Sequence, residues 1–182
     1  MSDEPFRAGL VREMPNLRAF AVSLCGSFHL ADDLVQETLV KAWSKESQFE
    51  AGSNLRAWLF TILRNVYYSH GRRQGVEIQD AEGVHASRLA MKPDQESRLE
   101  MEDFRNALAQ LPDEQREALI LVGASGLSYE EAALVCGAAV GTVKSRVNRA
   151  RAKLAELLHM ASADEIGVDR RNAGVKLGEP WG

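Results

Sequence analysis

The chain has 182 residues, 45% of them apolar and 26% charged, with a formal net charge of -4. This is the composition of one large or two small soluble domains, and it excludes a fibrous or disulfide-stapled protein. The longest aliphatic run, Ala118 to Val122, is far short of a membrane span, and the acidic Met1 to Pro5 is no signal peptide, so a cytoplasmic protein with no membrane contact is expected.

Cys25 and Cys136 stand alone, and His29, His70, His85 and His159 are scattered. Such spacing offers no metal site, no cofactor motif and no nucleophile beside a base, so neither an enzyme nor a small-molecule substrate is expected. The charge is segmented along the chain. Residues 51–75 carry four arginines and no acid, giving +4, whereas residues 76–117 carry eleven acids against five bases, giving -6. Two positive surfaces separated by an acidic stretch fit two nucleic-acid-facing modules whose joining segment faces elsewhere or masks them.

Apolar periodicity is helical wherever it is strong, which predicts an all-α fold: two small helical domains joined by a flexible linker, the second a helix-turn-helix. The first domain is expected over residues 6–74. Within it, Ala31 to Trp43 forms a helix with Asp32 and Asp33 in its first turn, where the helix dipole favours acids, and an apolar face of Leu34, Val35, Leu39, Ala42 and Trp43. Its polar residues Asp32, Asp33, Gln36, Glu37 and Lys41 read from pattern alone as a solvated face. A polar loop, Ser44 to Ser53, follows, and Phe49 within it needs a partner.

The next helix buries Leu55, Trp58, Leu59, Ile62 and Val66, with Ser53 or Asn54 as N-cap and Gly71 near its end. Opposite Ile62 lie Phe60, Arg64, Tyr67 and Tyr68, aromatics interleaved with a guanidinium; such a face suits stacking on unpaired bases, although aromatics on a helix are more often core. From residue 75 to 94 periodicity fades into an acidic linker.

The second domain is expected over residues 95–160. Phe104, Leu108 and Leu111 mark one helix, Pro112 opens the next at its first position, and Ala118, Leu119 and Val122 continue it to Gly123. Ser128 and Glu131 then form a capping box for a short helix ending near Val135, and Cys136-Gly137 supplies a turn. The last helix buries Val143, Val147, Ala150 and Leu154 in one stripe and carries Lys144, Arg146, Arg149, Arg151 and Lys153 with no acid before Glu156. At about 100 degrees per residue, Gly141, Ser145, Asn148 and Ala152 face outward, flanked by Lys144 and Arg149. A helix with small residues and one sign of charge on that face is suited to a DNA groove. Arg146 and Arg151 lie nearer the buried stripe and could instead pair with preceding helices. Residues 161–182 lack periodicity and are expected to form a tail without ordered structure, in which Trp181 is the one residue that could dock.

Three segments in order resemble the extracytoplasmic-function group of bacterial sigma factors. Gly141-Thr142-Val143-Lys144-Ser145-Arg146-Val147-Asn148-Arg149-Ala150-Arg151 resembles its -35 recognition helix. Asp32-Asp33-Leu34-Val35-Gln36-Glu37-Thr38 resembles its core-polymerase-binding helix, and Asn54-Leu55-Arg56-Ala57-Trp58-Leu59 opens a segment similar to its promoter-melting helix. Within the group, Leu111 to Glu117 and Val122 to Gly126 look most like the alphaproteobacterial general-stress-response type.

The resemblance implies a region 2 domain over 6–74, a linker over 75–94 that threads core polymerase, and a region 4 domain over 95–160. It implies that Asp32, Asp33, Gln36 and Glu37 meet the polymerase clamp, while the second domain meets the flap. Phe60, Arg64, Asn65, Tyr67, Tyr68, Arg72 and Arg73 would capture the opening -10 element, with Phe49 and its loop beside them. Lys144, Ser145, Asn148 and Arg149 would read or grip the -35 groove, with Gly141 and Thr142 near phosphates. The implied partners are core RNA polymerase, promoter DNA and a small anti-sigma factor, and through it an anti-sigma antagonist.

Two other readings remain. A conventional dimeric helix-turn-helix regulator would bind duplex DNA tightly without polymerase, but no dimerisation helix is evident. A sigma-like decoy that titrates an anti-sigma factor can lose its DNA-reading residues, and this chain keeps Lys144, Ser145, Arg149 and the basic stretch from Arg64 to Arg73.

Overall fold

The computed structural model describes residues 3–74 and 95–159, with side chains described for 5–71 and 101–159. The expected linker and tail, with His85 and Trp181, lie outside the described residues. Among those described, the fold is all-α: α1 (Asp3–Cys25), α2 (Phe28–Ser44), α3 (Leu55–Gln74), α4 (Gln95–Ala109), α5 (Asp113–Leu119), α6 (Tyr129–Cys136) and α7 (Val140–Leu157).

Helices α1, α2 and α3 pack pairwise into the first domain. In α1 the buried positions Leu10, Leu17, Phe20, Ala21 and Leu24 recur at helical spacing and form the inner stripe. Gly9 sits where α1 passes the start of α3, and a Cβ there would lie 2.6 Å from Leu55 Cδ2, so the close approach depends on the missing side chain.

Helix α2 starts at Phe28, three residues earlier than expected. Ser27 is its cap, the hydroxyl accepting from the Leu30 N–H at 3.3 Å. Asp32 and Asp33 consequently lie in the second turn, and the expected dipole role is corrected; a Ser beside Gly26, whose φ is 69°, outranks them as a start signal.

Helix α3 is capped by Asn54, whose Oδ1 accepts from the Ala57 N–H at 3.3 Å. Its buried stripe is Leu59, Phe60, Leu63, Val66 and Tyr67, rotated from the one expected. The loop after α2 includes one 3-10 turn, Glu46–Gln48. It is pinned by Phe49, which packs 5.7 Å from Phe6 and 5.3 Å from Trp58, the partners that residue required.

In the second domain Pro112 is the N-cap of α5 (φ -52°, ψ 140°), one position before the expected place, because its extended ψ precedes the first helical turn. Past Leu119 the helix widens into a π-type turn, Ile120–Ala124, closed by the Ser125 N–H on the Ile120 carbonyl at 2.9 Å. The capping box opens α6: the Ser128 hydroxyl accepts from the Glu131 N–H and the Glu131 carboxylate accepts from the Ser128 N–H. Gly137 ends α6 in the left-handed region at φ 62°, the conformation that makes the turn into α7. Val143, Val147, Ala150 and Leu154 are all fully buried, as the periodicity predicted.

The two domains touch. Helix α1 meets α5, and α3 meets α6. Polar side chains at the start of α3 span the joint: Asn54 Nδ2 donates to Glu131 at 2.7 Å, and Arg56 Nη1 donates to the Ser125 carbonyl at 3.0 Å while its Nε donates to Glu13 at 2.7 Å.

Candidate nucleic-acid and polymerase interface

Three surfaces carry the residues singled out from sequence. On α7 the buried stripe forces the remaining positions outward. Gly141, Thr142, Lys144, Asn148 and Arg149 are exposed and Ser145 is half-buried. Four of them, Gly141, Thr142, Ser145 and Arg149, line a shallow concavity of about 660 Å³ with Pro112, Asp113 and Glu114 at the start of α5. Lys144 is steadied by Tyr129, its Nζ 5.5 Å above the ring centre, which leaves the ammonium at the surface. Arg146 lines the same concavity, but its charge is paired there, Nη2 donating to Glu114 at 2.6 Å, and Arg151 is buried at 8% exposure. The one-sign face therefore consists of Lys144 and Arg149, with small or polar residues between them.

On α2, Asp32, Asp33 and Gln36 are exposed and Glu37 is half-buried. Each acid has an internal partner. Arg18 grips Asp32 with two donors at 2.7 and 3.2 Å, and His29 lies 3.4 Å from Asp33. Glu37 is held by Lys41 and His70, both at 2.6 Å, and their hydrogen bonds keep its carboxyl below the ordinary value against a smaller opposing effect of burial.

Two apolar residues on this helix were missed. Val40 is 69% exposed and Trp43 is 50% exposed, with the Arg7 guanidinium 4.4 Å above the indole. Trp43 was expected in the core. Its position next to last in the helix, between Lys41 and Lys45, was the available signal of an amphipathic role.

On α3 the outward face is corrected. Phe60 is fully buried and stacks 4.7 Å from Phe20 of α1, and Tyr67 is only 5% exposed. The reason is geometric: the stripe that faces α1 and α2 runs through Leu59, Leu63 and Val66, so Phe60 and Tyr67 flank it instead of opposing it, and Ile62 is the half-buried one. Asn65 is exposed, Tyr68 is half-buried, and the side chains of Arg72 and Arg73 lie outside the described residues.

Arg64 crosses to the second domain. Its guanidinium stacks 4.7 Å from the Tyr68 ring centre and its Nε donates to Glu117 of α5 at 2.5 Å. Glu117 is fully buried, and burial pushes its carboxyl above the ordinary range despite the opposing pull of Arg64. Burial, with the Asp113 charge adding to it, takes the Tyr67 hydroxyl up to about 12. Arg64, Tyr67 and Tyr68 thus share the electrostatic environment of Asp113 and Glu117 on α5.

Cys136 is buried and its thiol is pushed up to about 12 by burial and the Glu117 charge, which makes it a poor nucleophile, and Cys25 is half-buried with its Sγ donating to the Ser27 carbonyl at 3.2 Å. No group of three or more potential metal-ligating side chains, and no helix long and apolar enough to cross a membrane, occurs among the described residues.

Comparison with known proteins places both domains. Residues 10–76 match the Sigma-70 region 2 family and residues 101–154 match the Sigma-70 region 4 family. The chain is 55% identical over 166 residues to the ECF RNA polymerase sigma factor EcfG of Rhodopseudomonas palustris, covering 91% of this chain and 92% of that one. It is similar to the sigma factor RpoE of Bartonella quintana solved in complex with the anti-sigma factor NepR: TM-score 0.73, 53% identity, 87% of this chain and 99% of that chain. A third likeness is to CnrH solved with the cytosolic domain of CnrY: TM-score 0.64, 30% identity, 88% of this chain and 92% of that chain.

Proposed function

Because the chain belongs to the extracytoplasmic-function sigma factors of bacterial RNA polymerase, we propose that its three surfaces divide the work of promoter recognition among named residues. A sigma factor binds core polymerase, recognises the -10 and -35 promoter elements and promotes strand opening, and this protein does so with a region 2 and a region 4 domain, assigned to residues 6–74 and 95–160. The polymerase supplies the chemistry; the sigma factor itself is not an enzyme, and it works in the cytoplasm.

Lys144, Ser145, Asn148 and Arg149 read or grip the -35 major groove, with Gly141 and Thr142 against phosphates at the start of α7, where backbone N–H groups favour anions. The observation that carries this assignment is the exposure of all but one of these residues on one face, while Arg146 is paired with Glu114 and Arg151 is buried. Asp32, Asp33, Gln36 and Glu37 meet the polymerase clamp, and exposed Val40 and Trp43 extend that surface with apolar area.

Arg64, Asn65 and Tyr68, with Arg72 and Arg73, contact the -10 strand. Phe60 keeps no stacking role, since its ring is committed to Phe20. The likeness to RpoE bound to NepR supports an anti-sigma factor as partner, and the identity to EcfG supports the general-stress class.

Runoff transcription with core polymerase, with and without the protein, tests the reading. Promoter-specific transcripts appearing only on addition are expected. Tight duplex binding without polymerase would favour a conventional regulator, and absence of transcripts with retained anti-sigma binding would favour a decoy.

A further inference from the structure

The position of Arg64 ties the two halves of the molecule to one another. Its guanidinium is held on one side by the Tyr68 ring and on the other by the fully buried carboxylate of Glu117, which belongs to the other domain. The second carboxylate oxygen, Oε2, has no hydrogen-bond partner among the described residues, so this acid is committed to Arg64. A buried acid whose partner leaves is costly unless water reaches it, so separation of Arg64 from Glu117 requires the domains to part.

We propose that Glu117 is an internal competitor of promoter DNA for Arg64: free protein is held closed by this pair, and -10 strand capture and domain closure exclude each other. The proposal rests on the assignment of Arg64 to the -10 strand given above. Arg64 meets Glu117 through one bond, Nε to Oε1, and burial makes the contact exclusive: its side chain is 21% exposed against a carboxylate with no exposure, so a phosphate replaces that carboxylate only when the domains part. Tyr68 stacks on the same guanidinium, so the aromatic surface is engaged together with the charge. Asn54 and Arg56 add polar bonds across the joint to Glu131 and Ser125, but both lie at the start of α3, away from Asn65 and Tyr68, so they hold the domains without competing for that surface. Arg64 comes from the +4 segment and Glu117 from the end of the -6 segment, on α5 of the second domain; the joining segment expected to mask DNA-facing surfaces lies outside the described residues.

The test is a pair of measurements on full-length protein without polymerase. Domain separation is read by energy transfer between one dye on the α2–α3 loop and one on the exposed end of α7. DNA binding is read with the non-template -10 strand of a promoter mapped by runoff transcription. Glu117→Gln is expected to lower the transfer and to raise affinity for the single strand by roughly five- to 150-fold, the usual range for coupling between two sites.

Arg64→Ala is expected to lower the transfer and to abolish that gain. Opening without any gain in Glu117→Gln overturns the competition; unchanged transfer in both variants overturns the latch. If Arg64→Ala leaves strand binding intact, the -10 assignment fails, separately from the latch. Where Glu117→Gln does not fold, unmodified protein decides: by reciprocity saturating -10 strand must itself lower the transfer, and constant transfer at saturation overturns the proposal.

Discussion

Arg56 and Glu13 form a shielded pair in the first domain: the guanidinium Nε lies 2.7 Å from Glu13 Oε2, and the Glu13 side chain is only 8% exposed. Burial alone would raise the Glu13 carboxyl, but hydrogen bonds from Arg56 and Asn16 and the Arg56 charge outweigh it and hold it below 4.5. A depressed carboxyl contributes stability that is present above its unfolded value and lost as pH falls through the folded one. Glu13→Gln is therefore expected to cost about 1–3 kcal/mol in urea unfolding at pH 7. The gap to the unmodified protein should narrow as pH falls below about 4.5, the usual value for this group. A gap that persists at low pH would assign the loss to shape and not charge.

The two candidate positions Phe60 and Asn65 separate core from surface on one helix. Phe60 is fully buried against Phe20, so Phe60→Ala should lower stability by about 3–5 kcal/mol, the range for a large buried aromatic. Asn65 is exposed, and Asn65→Ala should leave the melting curve within about 0.5 kcal/mol while weakening -10 strand binding by polymerase holoenzyme. Equal stability of the two variants would contradict the packing described here.

On α7, Lys144→Ala and Arg149→Ala should each weaken holoenzyme binding to -35 duplex. Loss of a base contact is expected to cost about 1–3 kcal/mol and relax preference at one base pair, and loss of a phosphate contact to lower the salt slope by about 1. Arg146→Ala serves as the contrast. Its guanidinium is taken by Glu114, 65% exposed, so it should cost less than about 1 kcal/mol of stability and leave base preference unchanged. Gel-shift titrations at several salt concentrations distinguish the three.

The Ser128 hydroxyl and Glu131 carboxylate cap α6 reciprocally. Ser128→Ala should cost about 1 kcal/mol, and Ser128→Asp should recover most of it. Thermal unfolding followed by circular dichroism reads both.

The second domain was more legible than the first, for a physical reason. Helix α7 has one buried stripe and one free face, so fixing Val143, Val147, Ala150 and Leu154 inside determines what lies outside. Helix α3 is enclosed by α1 and α2, and by α6 of the other domain, and its apolar residues cover more than one stripe. A single-stripe assumption then rotates the helix, and it placed Phe60 and Tyr67 outside. Helix α1 went unlisted because Pro15 interrupts the pattern of a helix that nonetheless continues to Cys25. The Ser27 cap was hidden for another reason: Asp32 and Asp33 offered a competing start signal four residues into the element. The joint between domains was beyond reach of periodicity, since Arg64 and Glu117 are 53 residues apart and each looks like an ordinary charged helix position.

The burial of Glu117 also gives ionic strength a direction of action. A shielded ion pair is screened far less than a contact between exposed charges, whereas DNA binding releases several counterions and weakens steeply with salt. On the proposed assignment of Arg64 to the -10 strand, salt therefore acts unequally on the two groups that compete for it. As ions accumulate, the guanidinium should return to its buried acid before that pair itself loosens, so the protein should leave bare DNA at salt concentrations that still keep its two domains joined.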